Sequence, residues 1–226
     1  MVKLFNRILN FIYPPVCPVC GDFVEQHGSL CGKCWAKFNW ISNPKCFKCG
    51  YPFPADLDLG AAPMCPHCAA GECDLDFIRS ACVYDDVSKN IMLPFKHASK
   101  LKYQMLMSRA MINCLQDLKF KVDVVMPVPL ANRRLFKRGY NQATLLARPI
   151  AKYFGANLDV DSVRRKYKPD MGHKTAKQRR ENVHGVFRVI DKDKLKGKKV
   201  LLVDDVMTSG ATFYELNRIL RNAGVS

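Results

Sequence analysis

The sequence predicts an α/β protein in which a parallel sheet flanked by helices follows a small cysteine-rich region. Two apolar segments, at 123–128 and 199–203, have the length and the β-branched content of strands that are buried on both faces. Stretches with helical periodicity follow both segments, and this alternation is typical of a parallel sheet. The cysteine-rich region occupies the first 68 residues, so we predict one domain at 1–75 and a second at 76–226.

The composition is compatible with a well-packed protein that has an anionic partner. The 226 residues, 48% of them apolar, are enough to bury one medium core or a small and a medium one. Lys and Arg outnumber Asp and Glu by 36 to 20, which gives a formal net charge of +16. This charge favours a nucleic acid or a phosphorylated ligand as partner. A surface charge that serves only solubility is the alternative.

Eight of the eleven cysteines form four C-x-x-C pairs, and the chain has no credible export signal. Two thiolates separated by two residues form a knuckle that presents both sulfurs to one tetrahedral ion, so two knuckles complete a zinc site. We therefore predict two structural zinc sites in a reducing, cytoplasmic environment. Redox chemistry and an interleaved pairing of the knuckles stay open as alternatives. The predicted ligands are Cys17, Cys20, Cys31 and Cys34 for one ion, and Cys46, Cys49, Cys65 and Cys68 for the other.

The first thirteen residues form a short apolar stretch with helical periodicity, which Pro14 and Pro15 end. The stretch is too short to span a bilayer and lacks a small-residue cleavage site, so we predict no membrane span. Its apolar face predicts docking onto the protein body or onto a partner. Two histidines near the cysteines, His27 and His67, lie outside the four-cysteine sets, and we interpret them as ordinary polar residues.

Two carboxylates and a run of small residues follow the segment at 199–203. Asp204 and Asp205 stand at the carboxyl end of the predicted strand, where open α/β sheets bind ligands. Residues 207–212 lead into a helical pattern, so backbone amides and hydroxyls at a helix start predict a phosphate site. A Walker B strand would need a glycine-rich phosphate loop that the chain lacks, and a receiver domain would need far more sequence after the acid pair. An ordinary strand with a solvated turn leaves both features unexplained.

The remaining elements follow from hydrophobic periodicity. We predict a strand at 78–84, helices at 87–95 and 102–115, one helix from 133 to about 154, and a strand at 186–189. The sequence stops at Ser226, directly after the predicted last helix. Because an α/β fold normally places a strand after such a helix, we expect that a final strand is missing from this sequence.

Two basic segments are candidates for anion contacts. Four cations surround Gly139 at the predicted start of a helix and can grip a pyrophosphate, with solvated helix charge as the alternative. Residues 164–180 hold eight Lys or Arg against one acid, and we predict a mobile loop that closes over an anionic ligand or follows a nucleic-acid backbone. The candidate nucleic-acid contacts are Arg133, Arg134, Lys137, Lys166, Lys168, Lys174, Arg179 and Arg180.

Several separated motifs occur in one order along the chain. They are the tandem C-x-x-C knuckles, Pro127-Val128-Pro129-Leu130 with Arg133, Arg138-Gly139-Tyr140-Asn141-Gln142, Arg179-x-x-Asn182-Val183 and the acid pair. The combination resembles the ComF family, which includes the competence protein ComFC and the GntX proteins. The acid pair and its loop resemble the motif with which type I phosphoribosyltransferases bind 5-phosphoribosyl-1-diphosphate (PRPP). The resemblance implies a double zinc ribbon followed by a type I phosphoribosyltransferase fold. Ser209 stands where many members have a second Thr, and the hydroxyl is kept.

The resemblance also implies roles for individual residues. Asp204 and Asp205 would hold the ribose hydroxyls directly or through Mg²⁺, and Arg138 with Mg²⁺ would neutralise the leaving pyrophosphate. No residue is an evident base for an incoming nucleophile, so PRPP binding is better supported than turnover. The implied PRPP-binding residues are Asp204, Asp205, Met207, Thr208, Ser209, Gly210, Ala211 and Thr212.

Three functions remain in view. The first is a DNA-handling protein that binds PRPP and acts on single-stranded DNA during natural transformation, with competence or DNA-processing proteins as partners. The second is an active phosphoribosyltransferase with an unknown acceptor. The third is a PRPP-responsive regulator, although no helix-turn-helix can be read in the sequence. The salt dependence of DNA binding and the release of pyrophosphate from PRPP distinguish the first two.

Overall fold

The computed structural model describes residues 10, 12–57, 59–97, 101–116, 120–168 and 175–226. The chain divides into two compact units, Met1–Ile41 with Ser80–Cys114, and Ser42–Arg79 with Leu115–Ser226. The last four of the eight paired cysteines therefore belong to the same unit as the sheet. The predicted domain boundary between 75 and 76 stays a prediction, and the apolar face predicted for the first residues lies mostly outside the described part.

The cysteine-rich segments contain little regular structure. Two single-turn helices, α1 (Gly32–Trp35) and α2 (Pro66–Ala69), each start directly after a cysteine. Trp40 pairs with Cys82 through one antiparallel bridge, and this bridge is all the β-structure that the described residues show at 78–84. The strand predicted there is wrong, because the segment has no partner long enough for a ladder.

The two helices predicted after this segment are confirmed with shifted ends. Helix α3 is Asp86–His97, and α4 (Gln104–Asn113) follows a turn of 3₁₀ helix at Leu101–Tyr103. The 3₁₀ turn takes up the first residues of the predicted second helix, so α4 starts two residues later than expected.

The second unit contains a parallel sheet, as predicted. Its strands are β1 (Val124–Pro127), β2 (Asn157–Leu158) and β5 (Val200–Val203), in the order β2-β1-β5. All four residues of β1 are buried, which confirms the burial predicted for this segment. Three of the four residues of β5 are only half-buried, so burial on both faces is wrong for this strand. The reason is its position at the edge of the described sheet.

An antiparallel hairpin of β3 (Val163–Arg165) and β4 (Phe187–Val189) lies beside the sheet. Helix α7 is Ala176–Val183 and starts at a capping box formed by Thr175 and Gln178. The segment predicted as a mobile basic loop therefore contains a strand at one end and a helix at the other. Residues 169–174, including the candidate contact Lys174, lie outside the described residues.

Two helices, α5 (Asn132–Arg138) and α6 (Gln142–Phe154), stand where one helix was predicted. Gly139 ends α5 in the left-handed region at φ 81°, where glycine has no Cβ penalty. Helix α6 then starts at Asn141, whose side chain accepts a hydrogen bond from the Ala143 amide. The break places two helix ends at the motif around Gly139.

The core of the second unit lies between the sheet, the hairpin and α8 (Ala211–Asn222). Leu216 and Leu220 of α8 are almost completely buried against Val124 and Met126 of β1 and Phe187 of β4. Glu215, in the same helix, accepts a hydrogen bond from the Gly185 amide at 2.8 Å and so holds the chain between α7 and β4. These contacts fix the helix that starts directly after the acid pair.

Candidate functional site

The eight paired cysteines form two four-sulfur clusters in sequence order. In each cluster the sulfur atoms all lie within 4.8 Å of one another, with Cys20 and Cys31 at 3.5 Å and Cys49 and Cys65 at 3.6 Å. Zinc–sulfur bonds of about 2.3 Å in a tetrahedron require sulfur separations of about 3.8 Å, so both clusters fit zinc. The first cluster is Cys17, Cys20, Cys31 and Cys34, and the second cluster is Cys46, Cys49, Cys65 and Cys68.

Tight turns shape the first knuckle of each cluster. Gly21 and Gly50 follow these knuckles directly and have φ values of 86° and 70°, which side chains rarely adopt. Their amides donate to the carbonyls of Cys17 and Cys46 at 2.9 Å. The sequence C-x-x-C-G therefore sets the turn that directs both sulfurs of a knuckle to the same side.

Backbone amides prepare one sulfur of each cluster for metal binding. Burial alone raises the pKa of Cys46, but hydrogen bonds from the amides of Cys49 and Cys65 outweigh burial and lower the pKa to about 6. The same balance lowers the pKa of Cys17 to about 6. Burial and neighbouring thiols raise the pKa of Cys34 to about 12, so zinc binding at that sulfur releases a proton.

The acid pair lies at the carboxyl edge of two adjacent parallel strands. Pro127 of β1 is in register with Val203 of β5, and the Val128 amide donates to the Val203 carbonyl at 2.8 Å. After β1 the chain crosses to β2, whereas β5 lies on the other side of β1. Open α/β folds bind ligands at the carboxyl ends of strands where the connections diverge in this way. The loops after β1 and β5 therefore start side by side.

The loop of residues 204–210, which we call the phosphate loop, connects β5 to α8. The Asp205 amide donates to Asp204 Oδ1 at 2.9 Å, which fixes this carboxylate at the start of the loop. Gly210 ends the loop at φ 69°, and α8 starts without a side-chain hydrogen bond to its first turn. The first amides of α8 and the positive end of its dipole are therefore available to an anion.

The motif of residues 138–142, which follows β1, forms the second side of the site at this edge of the sheet. Asn141 Nδ2 donates to the Val128 carbonyl at 3.0 Å, which ties the start of α6 to the end of β1. Arg138 Nη1 donates to Gln142 Oε1 at 2.7 Å across the same helix break. The guanidinium of Arg138 is held at this junction, but no contact between Arg138 and the acid pair is seen among the described residues.

The candidate DNA contacts lie on three elements of the second unit. Arg133, Arg134 and Lys137 belong to α5, and Arg179 and Arg180 belong to α7. Lys166 and Lys168 follow β3 and flank Tyr167. The guanidinium of Arg133 lies 4.9 Å from the centre of the Tyr167 ring, so α5 and the segment after β3 are neighbours.

Sequence reasoning missed three aromatic side chains near these sites. Phe136 is 95% exposed on α5, and Tyr167 is 45% exposed beside Arg133. An aromatic residue inside a basic run was the available signal for both. The third is Tyr214, whose phenol oxygen lies 3.3 Å from His67 Nε2. No local pattern indicates a contact between residues so far apart in the sequence.

None of the helices in the described residues is both long enough and apolar enough to cross a bilayer.

The folds and sites together define a class of protein in which cysteine knuckles accompany a phosphoribosyltransferase-like sheet. The family of phosphoribosyl transferase domains matches residues 97–226, and the family of double zinc ribbon domains matches residues 8–69. The chain belongs to the phosphoribosyl transferase domain family.

Relatives match nearly the whole chain. Competence protein F of Haemophilus influenzae is 29% identical over 212 residues, which cover 91% of this chain and 90% of the relative. The DNA utilization protein YhgH of Salmonella typhi is 26% identical, and YhgH of Escherichia coli (strain K12) is 25% identical; each alignment covers 93% of this chain and 86% of the relative. The predicted relationship to the ComF family is confirmed.

Proposed function

We propose that this chain binds PRPP with Mg²⁺ at the carboxyl edge of β1 and β5, and that it handles single-stranded DNA in the cytoplasm during natural transformation or a related use of DNA. The observation that supports PRPP binding best is the position of the acid pair. Asp204 and Asp205 start a loop that ends at an uncapped helix, and this loop lies beside the end of a second parallel strand. The names of the relatives support the DNA role.

Different residues of the phosphate loop and of the start of α8 bind different parts of PRPP. The carboxylates of Asp204 and Asp205 accept hydrogen bonds from the ribose hydroxyls and share Mg²⁺. Residues 207–212 present backbone amides and hydroxyls to the 5-phosphate at the start of α8. Bound Mg²⁺ supplies charge neutralisation to the pyrophosphate. Arg138, held by Gln142 at 2.7 Å, adds a guanidinium that can approach the same anion.

Calorimetry with PRPP and Mg²⁺ tests this site. The variants Asp204→Asn and Asp205→Asn keep the size of each side chain and remove its charge. Because hydrogen bonds to charged groups contribute about 1.5–3 kcal/mol, each change should weaken binding by about tenfold to a hundredfold. Asp193→Asn is the matched control, since Asp193 is an exposed acid outside the loop. Equal heats for all four proteins would show that the acid pair does not hold the ligand.

Turnover is a separate measurement on the same proteins. A phosphoribosyltransferase releases pyrophosphate as the acceptor attacks C1 of the ribose, through a transition state with oxocarbenium character. Release of pyrophosphate with one member of a nucleobase panel, lost in Asp205→Asn, would identify an enzyme. Binding of PRPP without release would favour a PRPP-responsive binding protein over an enzyme.

The cations of α5, of which Arg133 and Lys137 are exposed, and the exposed cations of the segment after β3 support the DNA role. Arg133 bridges the two elements through its contact with Tyr167, so these cations form one surface. Phosphate contacts from Lys and Arg release counterions, and each contact with a single strand adds about 0.7 to the slope of log affinity against log salt. A positive surface that binds nucleic acid must therefore show this salt dependence.

A charge-reversal variant tests the surface. Changing Arg133, Arg134 and Lys137 to Glu should weaken oligonucleotide binding and reduce the salt slope by about 2, as three lost contacts require. Changing Lys192, Lys196 and Lys198 to Glu makes the same change in net charge at exposed positions elsewhere in the unit. If both triple variants behaved alike, the surface on α5 would have no special part in DNA binding. A deletion strain tested for transformation then examines the biological role.

A further inference from the structure

Tyr214 joins the second cysteine cluster to the phosphate loop. Its side chain extends from the first turn of α8 and packs with the buried cysteines of the second cluster. Its phenol oxygen lies 3.3 Å from Nε2 of His67, a residue of α2 between the ligands Cys65 and Cys68. The Tyr214 side chain therefore links the knuckle of Cys65 and Cys68 to the helix that follows the phosphate loop.

Both ring nitrogens of His67 are hydrogen-bonded. Its Nδ1 lies 2.7 Å from Glu72 Oε2. A carboxylate oxygen only accepts, so Nδ1 donates to Glu72. Nε2, on the other side of the ring, is paired with the Tyr214 hydroxyl at 3.3 Å. Glu72, His67 and Tyr214 therefore form a hydrogen-bonded chain that fixes the orientation of both rings.

One edge of the Tyr214 ring lies against Gly210. A Cβ at Gly210 would stand 2.8 Å from Cε2 of Tyr214, a separation that side chains do not adopt. The Tyr214 amide also donates to the Gly210 carbonyl at 3.0 Å. Because Gly210 is the last residue of the phosphate loop, a shift of the ring changes the space available to that loop.

Two further bonds hold α8 to the segment that follows the second cluster. Asn217 Nδ2 donates to the Asp74 carbonyl at 3.1 Å, and Arg221 Nη2 contacts both carboxylate oxygens of Asp76 at 2.8 and 2.9 Å. Positions 214, 217 and 221 share one face of the helix. This face is docked on the cysteine segment along its whole length, so α8 cannot move independently of that segment.

We propose that Tyr214 is a positioning residue of the phosphate loop, and that zinc in the second cluster sets the shape of the loop through His67 and Tyr214. The four sulfur atoms of the second cluster lie within 4.8 Å of one another, so one bound zinc ion would hold the knuckle that carries His67 in this shape. The second cluster is then part of the anion site as well as a structural element. The inference rests on the proposed binding of PRPP at the same loop.

Amide hydrogen exchange of peptides covering residues 204–212 tests the inference in the full, zinc-loaded chain. Tyr214→Phe removes only the hydroxyl and leaves the ring against Gly210. Loss of one hydrogen bond should speed exchange of the loop by about threefold to tenfold and weaken PRPP binding by a similar factor, with the zinc content unchanged. Tyr153→Phe is the matched control, because Tyr153 is a half-exposed tyrosine on α6.

A pair of ligand variants tests the role of the metal. Cys49→Ser removes the second cysteine of the first knuckle in the second cluster, and Cys20→Ser makes the equivalent change in the first cluster, which belongs to the other compact unit. Cys49→Ser should speed exchange at 204–212, whereas Cys20→Ser should not. Zinc analysis verifies that each variant has lost one ion.

The outcomes separate this inference from the proposed function. Unchanged loop exchange in Tyr214→Phe, or equal effects of Cys49→Ser and Cys20→Ser, would overturn the coupling. Faster loop exchange in Tyr214→Phe together with no PRPP heat in the wild-type chain would support the coupling and overturn PRPP binding instead.

Discussion

Asn141 Nδ2 donates a hydrogen bond of 3.0 Å to the carbonyl of Val128, so one side chain links the start of α6 to the residue that follows β1. The Val128 amide in turn donates to Val203 at the end of β5. Asn141 also caps α6, because its Oδ1 accepts from the Ala143 amide at 3.1 Å. The position of the start of α6 therefore depends on both the nitrogen and the oxygen of one side-chain amide.

Replacing this side chain should destabilise the second unit. Asn141→Ala removes the cap and the bond to Val128, and we expect a loss of about 1–3 kcal/mol in the free energy of unfolding, measured by urea titration. Asn141→Asp keeps an acceptor for the cap but has no donor for Val128, so its loss should be smaller. A wild-type unfolding curve for Asn141→Ala would contradict the anchoring role.

Gly210 should tolerate a side chain less well than a glycine with the same backbone conformation elsewhere. Gly210→Ala places a side chain at a φ of 69°, which is a strained conformation for alanine, and also brings a Cβ to 2.8 Å from Tyr214. Gly155→Ala has the first cost alone, since Gly155 has a φ of 60° and open space where its Cβ would lie. We expect about 1 kcal/mol for Gly155→Ala and a clearly larger loss for Gly210→Ala, measured by urea unfolding. Equal losses would mean that the Tyr214 ring moves aside without cost.

The parts of the fold that sequence patterns predicted are those with strong local signals. The central strand β1 is a run of apolar residues, the cysteine clusters have fixed spacing, and the acid pair stands between an apolar strand and a hydroxylated loop. Each signal is a local pattern, at most about two dozen residues long, that reflects one physical requirement. For that reason the parallel sheet and the two clusters could be predicted from the sequence, and the acid pair follows β5 as expected.

The missed elements are short or depend on distant contacts. Strand β2 has two residues and β3 has three, too few for a period to show. The break at Gly139 and the capping box at Thr175 had readable signals, since glycine ends helices and Thr-x-x-Gln starts them. The hydrogen bond between His67 and Tyr214 had none, because only the folded chain brings these residues together.

Phe136 should act as a stacking surface for bases in single-stranded DNA. Its ring is 95% exposed and stands among Arg133, Arg134 and Lys137 of α5. Stacking of a base on an aromatic ring contributes about 1–3 kcal/mol, so Phe136→Ala should weaken binding of a mixed-base oligonucleotide by that amount without changing the salt slope.

An abasic oligonucleotide provides the sharper comparison. Phe136→Ala and the wild-type chain should bind it equally, because the phosphates remain and the bases are absent. Phe47→Ala is the control, since Phe47 is also an exposed phenylalanine, at 59%, but lies outside α5, between Cys46 and Cys49. If the alanine change at Phe136 weakened both oligonucleotides alike, the ring would support the fold of α5 instead of binding bases.

Zinc should supply much of the stability of the cysteine segments. The buried residues of the second cluster are cysteines, namely Cys46, Cys65, Cys68 and the neighbouring Cys73, and the large apolar side chains packed against them are only partly buried. Metal analysis should give two zinc ions per chain, and one after Cys34→Ser. Removal of zinc with a chelator should lower the midpoint of thermal unfolding, and adding zinc back should restore it. A chain that kept its midpoint after losing both ions would show that the clusters fold without metal.

Glu215 should make the second unit less stable in acid. Its carboxylate is 7% exposed and accepts hydrogen bonds from Arg218 at 2.7 and 2.9 Å and from the Gly185 amide at 2.8 Å. The hydrogen bonds from Arg218, with that of the Gly185 amide, hold the pKa of Glu215 below its ordinary value of 4.5. A carboxyl group with a lowered pKa contributes its full stability above the ordinary value and loses it as the pH falls through the lowered one.

Urea unfolding from pH 7 to pH 3 checks this dependence. Glu215→Gln should cost about 1–3 kcal/mol at pH 7, because it removes the charge that Arg218 and the Gly185 amide contact. The cost should shrink as the pH falls below 4.5, where the wild-type carboxylate also gains a proton. Glu181→Gln is the control, since Glu181 is an exposed acid on α7, and its curve should follow that of the wild-type chain. A difference between Glu215→Gln and wild type that stayed constant down to pH 3 would show that shape, and not charge, determines the contribution of Glu215.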